Sequence, residues 1–219
     1  MFRWSKFIKM AFVFTVLLCL GISALGTVSA QDKVPEKADD EFWAFLGELD
    51  KNGIISLGGS ATYYGDYRDE WAQIGWYQWK TFEKANRFVF SSKLSWDSAS
   101  QTPNSFESGC GVLFNLTDVD NHLMASMRMD GMIYFTGKRG GSYLSYGTYK
   151  FSPPAIKKTI DFKLVVDNDK ASIYIDGQRV VRKANMQVMG SDVALSTLSG
   201  TNKDFGTRCE WKDIFFYTW

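Results

Sequence analysis

At 219 residues, with 25 basic and 24 acidic side chains, the chain carries a formal charge of +1 at neutral pH. Nucleic-acid binders concentrate positive charge, and this near balance excludes that class; an anionic membrane surface is disfavoured on the same ground. Hydrophobic residues make up 45% of the chain, ample for a core, while a single histidine and three cysteines leave little for a metal centre.

Arg3, Lys6 and Lys9 form a positive N-terminal region, an apolar run follows from about Ala11 to Leu25, and Val28-Ser29-Ala30 offers a small-residue cleavage site. Residues 1–30 therefore read as a signal peptide and the protein as secreted or held in the cell envelope. The alternative is an uncleaved anchor, but the run is short for a membrane span, so none is expected after cleavage. Leu18 stands before Cys19, where a lipoprotein signal places a small residue. Without the leader, 22 basic side chains face 24 acidic ones, a balance of about −2.

Residues 31–39 are polar and charged and read as a flexible lead-in to a domain over 40–219. From Asp40 to Asp50 the positions Phe42, Trp43, Phe45, Leu46 and Leu49 recur at helical spacing, with Asp39 or Asp40 as cap and Gly53 beyond the end. Thereafter the period is two. Phe88, Phe90, Leu94 and Trp96 share one face of Arg87–Trp96, Phe162, Leu164 and Val166 one face of Asp161–Val166, and Ala171, Ile173 and Ile175 one face of Ala171–Asp176. Asp130-Gly131 and Asp176-Gly177 are hairpin turn signals, because both residue types tolerate positive φ. Further strands are expected at Gly109–Asn115, Leu123–Met129, Met132–Thr136, Gln178–Arg182, Asp192–Leu198 and Arg208–Tyr217. In the last, Cys209 and Trp211 fall on the face opposite Ile214 and Phe216, which a bulge near Lys212-Asp213 reconciles. The expected fold is all-β: an antiparallel two-sheet sandwich with one short N-terminal helix.

Outside the leader only Cys110 and Cys209 remain, an even pair that fits a disulfide in an oxidising compartment or two buried thiols.

Three passages, GCGVLFNLTDVDNHLMASMRMDGMIYF, DFKLVVDNDKASIYIDGQRV and LSGTNKDFGTRCEWKDI, occur in that order. Together they resemble the concanavalin A-like lectin/glucanase superfamily, of the laminin-G-like jelly-roll kind found in secreted bacterial proteins. The resemblance implies the fold, and it implies a carbohydrate ligand on a concave sheet face. It does not decide between lectin, glycosidase and protein-adhesion module.

No catalytic constellation is readable. Retaining glucanases of this fold carry two carboxylates in an E-x-D-x-x-E strand; the near match at Glu48-Leu49-Asp50 lacks the final Glu and ends the expected helix. His122 can act as a base or, more plainly, open a strand and bond a loop. Asp118, Asp120 and Asn121 are candidate Ca²⁺ ligands or an Asx turn, and no other cofactor is implied. Asn115-Leu116-Thr117 is a glycosylation sequon, of consequence only in a eukaryotic secretory pathway.

Aromatics carry the functional reading. Tyr63, Tyr64, Tyr67, Trp71, Trp76, Tyr77 and Trp79 crowd among Asp66, Arg68, Asp69, Glu70, Gln73 and Gln78, and Tyr143, Tyr146 and Tyr149 follow Arg139. Flat rings beside amides and carboxylates suit sugars. Tyr64, Tyr67, Trp71, Trp76, Trp79, Arg139 and Tyr146 are the expected contacts of a secreted carbohydrate-binding module. The alternatives are an extracellular protein-interaction domain and a divergent glycoside hydrolase, for which Glu83, Asp118, Asp120, Asp130 and Glu210 are the acids of interest.

Overall fold

The computed structural model describes residues 36–183 and 185–219. The expected signal peptide and residues 31–35 of the lead-in lie outside the described residues.

One helix, α1 (Glu36–Lys51), precedes twelve strands: β1 (Ser60–Trp71), β2 (Trp76–Lys84), β3 (Arg87–Ser98), β4 (Gly109–Asp118), β5 (Asn121–Arg128), β6 (Met132–Arg139), β7 (Ser142–Lys150), β8 (Lys158–Asp167), β9 (Lys170–Ile175), β10 (Gln178–Lys183), β11 (Asp192–Ser199) and β12 (Thr207–Thr218). They form two six-stranded antiparallel sheets, ordered β1-β12-β3-β8-β9-β10 and β2-β11-β4-β5-β6-β7. This is the expected two-sheet sandwich.

The helix starts four residues before the expected Asp40. Asp39 and Asp40 therefore lie inside it rather than capping it, because Glu36, Lys37 and Ala38 are good helix formers and Glu36 and Asp39 complement the positive end of the helix dipole. At the other end Gly53 takes φ of 67°. Its N–H donates to the Asp50 carbonyl and that of Ile54 to the Leu49 carbonyl, the paired bonds of a Schellman cap. Phe42, Leu46 and Leu49 are buried against Val89, Val165, Phe215 and Tyr217 on the outer face of the first sheet.

Between the sheets alternate residues interdigitate: Phe88, Phe90, Phe162, Trp211 and Phe216 from one, Val112, Phe114, Phe135 and Leu195 from the other. The parity slip in β12 is resolved as a bulge between Lys212 and Phe215, with Asp213 at φ of 52°. Trp211, Ile214 and Phe216 thereby all face the core, while Phe215 and Tyr217 turn outward to the helix. Asp176 and Gly177, both at positive φ, close the two-residue β9–β10 hairpin. Cys110 of β4 and Cys209 of β12 form a disulfide joining the two sheets, with Cα atoms 5.8 Å apart.

Asn115 is buried, its Nδ2 donating to the carbonyls of Asn168 and Gln187 at 3.4 Å each. The sequon is closed to a glycosyltransferase once the chain has folded.

Candidate functional site

The helix covers part of the outer face of the first sheet and borders a cleft of about 770 Å³ over β8–β10; the outer face of the second sheet carries a cleft of about 550 Å³ lined by aromatic rings. Strand alternation supplies its surface. Leu123, Ala125 and Met127 of β5 enter the core, so His122, Met124, Ser126 and Arg128 point out. Thr136 and Lys138 of β6 and Tyr143 of β7 continue the surface, and Trp76, Tyr77 and Phe106-Glu107 bound it on the other side. Trp76, Phe106 and Tyr143 are 63%, 54% and 68% exposed, so three rings stand open to solvent around one depression.

The floor is a small apolar layer. Tyr77 and Trp79 of β2 lie opposite Leu198 and Ser196 of β11 and pack over Leu113, Leu116, Met124, Ala194 and Leu198. The Trp79 ring sits 5.7 Å from Tyr77 and 6.4 Å from His122.

His122 is 2% exposed. Its Nδ1 is 3.3 Å from the Asp118 carbonyl and its Nε2 is 3.2 Å from the Tyr77 hydroxyl. A carbonyl only accepts, so the proton belongs on Nδ1, and Nε2 accepts from Tyr77. Burial pushes the imidazole pKa below 6.5, outweighing the Asp118 carbonyl, and Lys138 pushes the same way. The unfolded chain then binds this proton more readily, and stability falls as pH drops from about 6.5 toward the folded-state pKa. Urea midpoints measured between pH 7.5 and pH 5 should decline, and a His122→Gln variant should decline less steeply. Parallel profiles would sink this assignment.

Arg128 is locked over two rings. Its guanidinium carbon lies 4.8 Å from the Tyr134 centroid and 5.3 Å from the Phe106 centroid. Nε donates to Ser126 Oγ at 3.1 Å, and Nη1 donates to the Phe106 carbonyl. Burial lowers its pKa, which for a guanidinium still leaves a full charge at neutral pH. Beside it, burial and a 2.7 Å bond to Asp130 push the Tyr134 phenol up to about 12.

Of the residues expected from the sequence to touch ligand, Trp76 lines the cleft and Trp79 packs beside it. The others lie elsewhere. Tyr64 bonds to Glu83, Tyr67 packs on the main core under Lys80, and Trp71 ends β1 beside Gly206. Tyr146 packs inward on Phe135, and Arg139 lies at the end of β6, outside the lining. The cause is topological. The aromatic segment leaves the first sheet along its edge strand β1 and enters the second along its edge strand β2, so its rings divide between two places. Phe106, Glu107, Arg128 and Lys138 do not stand out in the sequence, and Tyr143 does so only as one of the second aromatic group; outward parity on β5 and β6 was the signal for Arg128 and Lys138.

Both carboxylate oxygens of Asp118 accept bonds inside the β4–β5 turn, from the Asp120 N–H and the Asn121 amide, and these bonds hold its pKa low. Asn121 Oδ1 accepts from the Gly140 N–H at 3.0 Å. The Asx turn thus engages the oxygens of Asp118 and Asn121, and among the described residues no cluster of three His, Cys, Asp or Glu is placed to hold a metal.

No family model and no curated protein matches the chain. Among solved structures it is similar to the carbohydrate binding module CBM66 from Bacillus subtilis, with a TM-score of 0.50, 13% identity, and 71% of this chain and 90% of that one covered. It is also similar to a fructosyltransferase from A. japonicus (TM-score 0.49, 12% identity), where 78% of this chain spans 28% of that protein. A third is the galectin LEC-6 of Caenorhabditis elegans (TM-score 0.43, 13% identity), covering 71% of this chain and 96% of that one. At these identities the likeness is one of fold. It is a likeness of the two-sheet sandwich and does not single out the laminin-G kind.

Proposed function

We propose that the protein is a secreted saccharide-binding module whose ligand lies in the cleft on the outer face of the second sheet. The observation that carries this reading is the joining of three solvent-exposed rings, Trp76, Phe106 and Tyr143, with charged and hydrogen-bonding walls from Glu107, Arg128 and Lys138. Sugars present apolar C–H faces and polar rims, and such a lining meets both. The fold shared with a protein described as a carbohydrate binding module supports the same reading.

Two-carboxylate hydrolysis needs a facing pair of acids. Glu107 is the single carboxylate among the lining residues, so this lining supports binding rather than turnover. Export rests on the leader-like first thirty residues and on the disulfide, which persists in oxidising compartments.

Trp76 lies outside every buried cluster, so Trp76→Ala should keep the thermal midpoint while weakening saccharide binding at least tenfold, about 1.4 kcal/mol. Calorimetric titration of wild type and variant against hits from a broad glycan panel checks it. Equal affinities would move the site away from the cleft.

A further inference from the structure

We propose that the cleft selects saccharides bearing a carboxylate and that Arg128 is the group that receives it. This rests on the saccharide-binding reading and adds the ligand's charge.

Arg128 is a partly buried cation whose attraction to Asp130 and Glu107 acts through space rather than through an ion pair. Among the described residues no carboxylate makes an ion pair with it, and the two acids nearest in the fold are engaged elsewhere. Asp130 accepts from the Met132 N–H at 3.0 Å through Oδ1 and from the Tyr134 hydroxyl at 2.7 Å through Oδ2. Glu107 accepts from Asn104 Nδ2 at 2.9 Å. Taking a charge out of water without a direct ion pair is costly, and the two rings, the two hydrogen bonds and the more distant Asp130 and Glu107 offset that cost in part.

The guanidinium is also held ready. The Tyr134 and Phe106 rings lie against it, and those rings meet edge to face at 5.0 Å. The bonds to Ser126 Oγ and the Phe106 carbonyl use two of its five N–H donors. The donors left over belong to a rigid planar fork, the geometry that matches a carboxylate bidentately. Lys138, on the same cleft, makes no ion pair among the described residues, so the lining carries two cations against the single carboxylate of Glu107. A neutral sugar would leave this excess of positive charge in the lining unchanged. A uronate supplies the missing charge to Arg128 while its pyranose face remains free to stack on Trp76 or Tyr143.

The test uses oligosaccharides of galacturonate, glucuronate and mannuronate, each beside its methyl ester, which keeps ring and linkage but removes the charge. Titration of the wild-type chain should show at least one acid binding tenfold or more tightly than its ester, with the difference shrinking at high salt. Arg128→Gln should bring acid and ester to similar affinity; should that variant fail to fold, Lys138→Met and the wild-type acid–ester ratio still decide. Esters binding as tightly as acids, with binding still lost in Trp76→Ala, would overturn the acidic specificity and leave the saccharide site standing. An acid preference that survives Arg128→Gln would remove Arg128 from the role. No binding of either form, or of any neutral glycan, would overturn this proposal and the functional reading together.

Discussion

Replacing both Cys110 and Cys209 by alanine should lower the unfolding free energy by about 4–5 kcal/mol, the chain-entropy value for a closed loop of about a hundred residues. The two cysteines are 99 positions apart and tie β4 of one sheet to β12 of the other. They pin the unfolded chain across most of the sandwich, and so long a loop confers the greatest advantage. For a domain of this size the thermal midpoint should fall on the order of 10 to 15 °C. Denaturant unfolding of the oxidised protein and the double variant measures it. A difference below about 1 kcal/mol would show that the sheets hold together without the bridge and that the entropic account fails here.

Phe42→Ala should cost about 3–5 kcal/mol, the range for truncating a buried phenylalanine. Phe42 is 2% exposed and its ring stacks on Phe215 at 4.8 Å, at the centre of the contact between α1 and the first sheet. A sixteen-residue helix is marginal alone in water and draws its stability from this apolar stripe. The variant should therefore lose helical circular dichroism at temperatures where the sandwich is still folded, and expose Val89, Val165 and Phe215 to a hydrophobic dye. Loss of helix and sheet in a single transition at the wild-type midpoint would mean that the helix is not an appended layer.

Where residues obey a period of two, the sequence was sufficient. Phe88 to Trp96, Phe162 to Val166 and Ala171 to Ile175 alternate because one face is core and the other is not, and β3, β8 and β9 follow. Even the β12 bulge was legible, since the parity of Trp211 and Phe216 cannot be reconciled on a regular strand. β1 and β2 were not legible as strands. They run along sheet edges, and aromatics occupy adjacent positions at Tyr63-Tyr64 and Trp76-Tyr77, so no alternation marks a core face. The same crowding made one site of what the topology divides between two sheets. The cleft drew on parts that no local window contains: Phe106-Glu107 from a loop, Arg128 from β5, Lys138 from β6 and Tyr143 from β7. Arg128 reads in isolation as the polar end of a strand. Only its position over Phe106 and Tyr134, beside a carboxylate already engaged, sets it apart.

The tryptophan indoles offer the most direct reading of where ligand binds, because they are distributed over distinct regions of the fold. Trp76 and Trp79 lie at the cleft, Trp71 ends β1, Trp96 and Trp211 are in the main core, and Trp43 lies on the helix. Indole N–H resonances should be followed by ¹⁵N-edited NMR as saccharides from the glycan panel, neutral and acidic, are titrated in. Trp76 and Trp79 should shift with saturation while Trp43, Trp71, Trp96 and Trp211 hold their positions. A saturable saccharide that leaves Trp76 and Trp79 unmoved and shifts the indoles of the helix or of β1 instead would contradict this expectation.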